Sequence, residues 1–115
     1  MKAMERMNKK EFGDFGEDMA AEYLVRQNCR IVTRNFRCRT GELDIVAQKD
    51  NELIICEVKT RASEAYGYPA EFVGTAKQLR IRSAAKYYIM TNRLEGMRVR
   101  FDVIEVYINQ CKGAF

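Results

Sequence analysis

Two hydrophobic rhythms alternate along this chain. Residues 9–28 carry Phe12, Phe15, Gly16, Met19, Ala20, Tyr23, Leu24 and Gln27 at three-and-four spacing, which predicts a helix with one face turned inward. Residues 29–36 switch to a period of two, Ile31 and Thr33 against Val32 and Arg34, and β-branched side chains on that period predict a strand. Residues 42–48 and 52–60 keep the strand rhythm on either side of Lys49-Asp50-Asn51; a turn-forming cluster between two strands predicts a hairpin. A loop with Ser63, Gly67, Tyr68 and Pro69 leads to a second helix that starts near Phe72 or Thr75 and ends near Met90. Leu79, Ile81, Ala84, Ala85, Tyr88 and Ile89 are its apolar candidates, and Thr75 is the expected N-cap. Residues 99–108 alternate again, Val99, Phe101 and Val103 against Arg100, Asp102 and Ile104, and close the series as a fourth strand. The order αβββαβ predicts an α/β domain with a mixed four-stranded sheet flanked by helices.

With 115 residues there is room for one hydrophobic core, so residues 1–115 are read as a single domain with its core at about 9–108 and short tails. The longest apolar run, Leu53-Ile54-Ile55-Cys56, falls far short of the ~20 residues that span a bilayer. Lys2, Arg6, Lys9 and Lys10 are not followed by an apolar stretch, so no signal peptide and a cytoplasmic location are expected, with no membrane partner. Cys29, Cys38, Cys56 and Cys111 are irregularly spaced without a C-x-x-C pair. Reduced, mostly buried thiols are the expected state, with a zinc site or a disulfide as the lesser alternative.

The chain has no histidine, which removes Ser-His and Cys-His catalysis and most zinc enzymes. Carboxylates, lysine or a hard, oxygen-bound metal ion remain. The net charge of +4 is unevenly spread: Arg26, Arg30, Arg34, Arg37 and Arg39 form one cluster, and Lys77, Arg80, Arg82, Lys86 and Arg93 another. Such clusters fit a polyanionic partner and equally fit ordinary solvated charge.

Strand alternation assigns faces within the hairpin. Leu43, Ile45 and Ala47 point one way and Glu42, Asp44 and Val46 the other; Cys56 and Val58 oppose Ile55, Glu57 and Lys59. A symmetric turn of two or four residues sets Asp44 opposite Glu57 and Glu42 opposite Lys59. Like charges directly opposed destabilise a sheet, and a divalent cation shared between Asp44 and Glu57 would remove that penalty. Two carboxylates completed by water suit Mg²⁺ or Mn²⁺, and Lys59 would stand beside the ion. The alternative is a surface ladder in which Lys59 pairs with Glu42 and nothing is catalysed.

Asp44 followed across a hairpin by Glu57-Val58-Lys59 resembles the D…(D/E)-x-K signature of the restriction-endonuclease-like superfamily. Between about residues 13 and 106 the chain resembles the YraN-like family of small bacterial proteins, related to archaeal Holliday junction resolvases. The resemblance rests on Gly16-Glu17-Asp18, Ala20-Ala21, Tyr23-Leu24, Asn35-Phe36-Arg37, Gly41-Glu42-Leu43-Asp44-Ile45-Val46, Glu57-Val58-Lys59-Thr60-Arg61, Lys77-Gln78 and Arg100-Phe101-Asp102. Where the superfamily often has proline before its aspartate this chain has Leu43, as the YraN-like set does.

The resemblance implies a restriction-endonuclease-like domain, with Mg²⁺ or Mn²⁺ held by Asp44, Glu57, the Val58 carbonyl and Glu17, and with Lys59 assisting. Glu17 would alternatively be an exposed first-turn glutamate. Arg61, Lys77, Gln78 and Arg37 are the candidate contacts to nucleic acid, and Tyr66, Tyr68 and Phe72 either stack on bases or pack in the core. Asp102 beside Arg100 reads as a structural ion pair. The implied activity is endonucleolytic cleavage of branched or structured DNA, with homodimers a feature of related enzymes. A nucleic-acid-binding or adaptor module that keeps the fold without cleaving is the alternative.

Overall fold

The computed structural model describes residues 7–62 and 73–115. The first helix, α1 (Lys9–Arg26), starts where Asn8 and Glu11 cap each other. Asn8 Oδ1 accepts the Glu11 amide at 2.8 Å and Glu11 Oε1 accepts the Asn8 amide at 3.2 Å, so two amides that begin a helix without partners are satisfied together. At the other end Asn28 takes a left-handed φ of 67°, and the Cys29 amide donates back to the Leu24 carbonyl at 3.0 Å. That reversal stops the helix and sends the chain into the sheet within two residues.

Strands β1 (Arg30–Cys38), β2 (Gly41–Lys49), β3 (Glu52–Ala62) and β4 (Arg98–Ile108) form one sheet in that order. The first three are antiparallel, and β4 lies parallel to β3. Two-residue turns close both hairpins, between Cys38 and Gly41 and between Lys49 and Glu52. Asp50 at φ 54° supplies the left-handed position of the second turn, a conformation that aspartate tolerates better than most residues. The register of β1 slips between Ile31 and Thr33. A parallel neighbour requires a crossover, which α2 (Thr75–Thr91) provides. These elements are the αβββαβ order and mixed four-stranded sheet that the alternation predicts.

The helices cover opposite faces. On one, Ala20, Ala21 and Leu24 of α1 pack on Cys29, Ile45, Ala47, Ile54 and Cys56. On the other, Ile81, Ala84, Ala85 and Tyr88 of α2 pack on Leu43, Val46, Leu53 and Ile55. The buried stripe of α1 is Gly16, Glu17, Ala20, Ala21 and Leu24, which corrects the apolar face expected there: Phe15, Met19 and Tyr23 are 38%, 45% and 54% exposed. Small residues win because α1 lies so close to β3 that a Cβ on Gly16 would run into Thr60, 2.7 Å from its own Cβ. In α2 Leu79 is exposed, and Gly74, without a side-chain bond, occupies the N-cap position expected of Thr75.

All four cysteines are free thiols; Cys29 and Cys56 are buried, Cys38 is half-buried and Cys111 is exposed. No helix among the described residues is long and apolar enough to cross a membrane. Strand β4 ends the sheet, with Val99, Phe101 and Val103 partly exposed along it.

Candidate functional site

The β2–β3 ladder runs from Lys49↔Glu52 to Ile45↔Cys56, the register expected from a two-residue turn, and stops one pair short of Asp44 and Glu57. Strand β2 continues beyond that point only with β1, as far as Gly41. At the end of the ladder the Asp44 carboxylate takes over the role of a backbone acceptor, its Oδ2 receiving the Val58 amide at 2.9 Å. Leu43 packs in the α2-side cluster together with Val46, whereas alternation groups it with Ile45 and Ala47, which pack on the α1 side. The strict period of two therefore fails where β2 leaves β3, and that local turn of the chain frames the acidic pair.

Glu57 is buried at 8% exposed, and its Oε1 meets the Lys77 ammonium of α2 at 2.8 Å. Burial, reinforced by the Glu57 carboxylate, pushes the Asp44 carboxyl up to about 6; the Val58 amide and the Lys77 charge oppose the rise. The hydrogen bond to Glu57 raises the pKa of Lys77, so its ammonium is held in the charged form. Two carboxylates and one ammonium thus share a recess between the sheet and the start of α2.

Lys59 does not face Glu42. With the ladder already ended, Glu42 pairs with Arg37 across the β1–β2 hairpin at 3.2 Å. Lys59 lies two residues beyond Glu57, in register with Glu105 of β4. Glu17 is neither exposed nor free: its Oε1 accepts Arg34 Nε at 3.0 Å and Asn35 Nδ2 at 2.9 Å, and it lines the same groove as Asp44 and Val58. The Arg34 and Asn35 clamp was not expected from the sequence. Its one local signal is Asn35 itself, at φ 54° within β1, where asparagine is among the residues that fit.

Of the candidate nucleic-acid contacts, Arg61 is engaged by Glu105 at 3.0 Å, which turns it along the sheet toward β4. Gln78 donates to the Val73 carbonyl at 2.7 Å, fastening the start of α2. Arg100 pairs with Asp102 at 2.9 Å and with Glu52 at 2.9 Å, the structural ion pair expected there. Tyr66, Tyr68 and Phe72 lie outside the described residues.

Three hollows lie around this part of the sheet, one lined by both acids of the pair, one by Asp44 without Glu57 and one by Lys77. A cavity of about 220 Å³ between β3, β4 and α2 is lined by Asp44, Glu57, Val73, Gln78, Ile81 and Phe101. An open groove of about 710 Å³ runs past Asp44 and Glu17 to Lys9, Lys10 and Arg37. A third, of about 380 Å³, joins Arg37 and Arg39 of the β1–β2 hairpin to Lys77 and Arg80 of α2, where a Cβ on Gly41 would sit 2.8 Å from the Arg80 carbonyl oxygen. Neither Arg39 nor Arg80 has a side-chain ion pair among the described residues.

Asp44 and Glu57 are the side chains of this site that could hold a divalent ion. Asp44 and Glu57 present hard oxygens at one place, and a cation, the Lys77 ammonium, already sits against them. Among the described residues no three acidic or thiol side chains gather closely enough to hold a metal by themselves. Two carboxylates completed by water are a donor set of the kind magnesium takes, since it retains several waters.

Comparison with known proteins identifies relatives that match nearly the whole chain. A UPF0102 protein of Clostridioides difficile strain 630 is 46% identical over 114 residues, covering 95% of this chain and all of the relative. One from Clostridium acetobutylicum is 47% identical over 112 residues, 97% of this chain and 91% of its own. A third, from Syntrophotalea carbinolica, is 52% identical over 94 residues, 82% and 76% of the two chains. The model described as uncharacterised protein family UPF0102 matches residues 16–106, a span that takes in Glu17, the acidic pair and Lys77: the chain belongs to the UPF0102 family.

Proposed function

We propose that this protein is a metal-dependent endonuclease of the restriction-endonuclease-like superfamily, cleaving phosphodiester bonds in branched or structured DNA. The observation that carries the reading is the Asp44–Glu57 pair, with Asp44 on a groove that also holds Lys9, Lys10 and Arg37 and Glu57 joined through Lys77 to a second groove holding Arg39 and Arg80. Carboxylates repel a polyphosphate, so acid set among arginines and lysines is an economical way to seat a cation against a phosphate.

In this mechanism Asp44, Glu57 and the Val58 carbonyl would hold Mg²⁺ or Mn²⁺, and such an ion would polarise a phosphoryl oxygen and acidify water. The Val58 amide fixes the Asp44 carboxylate through its 2.9 Å bond. Glu17, pinned by Arg34 and Asn35, stands on the groove beside Asp44 and Val58 as a further acidic group of the site. Lys59, on the same strand as Glu57, orients the attacking water or offsets charge on the phosphate. Arg37, Arg39 and Arg80 hold the flanking phosphates. Homodimerisation, which would pair two such sites, belongs to the same proposal.

Purified protein with Mg²⁺ or Mn²⁺ is expected to cut at least one of a set of junction, flap, single-stranded and duplex DNA substrates, and Asp44→Ala to cut none. Cleavage by the variant equal to wild type refutes the reading. The Lys77–Glu57 contact favours one alternative: an ammonium that already neutralises the acid suits a DNA-binding or adaptor module that does not cleave. Salt-sensitive DNA binding unaffected by EDTA and by Glu57→Ala, without cleavage of any substrate, is the result that module would give.

A further inference from the structure

We propose that Lys77 is an internal competitor for the divalent ion: its ammonium fills the cation position of the Asp44–Glu57 pair and must leave when the metal enters. The inference rests on the metal-site reading above and concerns this chain's own lysine.

Three observations carry it. The contact is short, 2.8 Å from Lys77 Nζ to Glu57 Oε1, and Glu57 is buried, so the ammonium occupies space that an ion bound to that carboxylate would need. Among the described residues Lys77 is the cation in ion-pair contact with the acids, while Arg37 is held by Glu42, Arg34 by Glu17 and Asp18, and Arg61 by Glu105, and Lys59 makes no ion pair with either acid. Lys77 therefore carries the neutralisation of the pair. The third observation is placement: the Lys77 side chain is 49% exposed, and it also lines the groove that holds Arg37, Arg39 and Arg80. The groove beside it offers the ammonium a place away from the carboxylates.

Two cations cannot share the pair without strong repulsion. The apparent affinity for metal is thus the intrinsic affinity multiplied by the fraction of molecules in which Lys77 has moved away. Once displaced, the ammonium joins the three arginines and becomes a phosphate ligand, so metal and DNA binding favour each other.

The test is Mn²⁺ binding to the full chain, followed by the electron paramagnetic resonance signal of free Mn²⁺, which requires no catalysis. Lys77→Met and Lys77→Gln are expected to bind Mn²⁺ on the order of fivefold to thirtyfold more tightly than wild type, the range of a single coupled charge. Lys77→Arg keeps the charge and is expected within about twofold of wild type on the same grounds. Glu57→Gln is expected to lose binding. If wild type binds and Glu57→Gln does not, but Lys77→Met and Lys77→Gln bind no more tightly, competition is refuted and the metal site stands. If Lys77→Arg gains as much as Lys77→Met, competition through charge is refuted. If neither wild type nor Lys77→Met takes up Mn²⁺, or Glu57→Gln binds like wild type, this proposal and the metal reading fall together. Binding by Lys77→Met alone is the strongest support, because wild type is then blocked by its own lysine.

Discussion

Replacing Asp44 by asparagine should make the metal-free protein more stable at neutral pH. The carboxyl is raised from 3.8 to about 6 in the folded chain, chiefly by burial and then by Glu57, so the native state holds the proton more tightly than the unfolded state does. The sign follows from that difference. The contribution of Asp44 is most favourable below its unfolded pKa and declines as pH rises through the folded value, so at pH 7.5 an ionised Asp44 is a net cost. A shift of about two units corresponds to roughly 3 kcal/mol at full strength, and screening of a side chain that is not fully buried reduces it to about 1–2 kcal/mol. Asparagine keeps an oxygen for the Val58 amide, an interaction seen at 2.9 Å with aspartate, while removing the charge. Urea unfolding in EDTA should show Asp44→Asn ahead by about 1–2 kcal/mol at pH 7.5, with the advantage disappearing by about pH 4 as the wild-type carboxyl protonates. A variant less stable than wild type at pH 7.5, or one whose gain is the same at both pH values, would refute the electrostatic description of the pair.

Two other predictions concern packing and charge. Gly16→Ala forces a methyl against Thr60 and should cost about 1–3 kcal/mol in urea unfolding despite the better helix propensity of alanine, with Thr60→Ala in the same chain recovering much of the loss. Arg39→Gln and Arg80→Gln, on the groove shared with Lys77, should each weaken binding to duplex or junction DNA and lower the slope of log affinity against log salt by about 1. An unchanged slope would remove these arginines from the phosphate path.

The hairpin register was legible because Asp50-Asn51 is a strong local turn signal, and one turn of even length fixes every pair that follows. Its limit was also physical. Register propagates only while strands remain paired, and β2 parts from β3 at the point where the acids stand, so Leu43 changes face and Glu42 turns to Arg37. Asp44 and Glu57 could be brought together from sequence since they are near in chain distance. Lys77 could not: its approach depends on where the crossover sets α2 down. The face of α1 was misjudged for a different reason, because hydrophobicity ranks Phe15 and Tyr23 above Gly16 and Ala20, whereas closeness of approach to Thr60 selects the smallest side chains.

Strand β4 has a bearing on solubility. It is an eleven-residue strand at the end of the sheet, and Val99, Phe101 and Val103 on it are exposed to about the same degree, a pattern that invites another strand to add on. Arg98, Arg100, Asp102 and Glu105 interrupt that run, and Arg100 is tied down by Asp102 and Glu52. Those ion pairs, worth little to the stability of a single molecule, act as gatekeepers against fibrillar growth, since any incoming strand must strip them of water or leave charge facing an apolar neighbour.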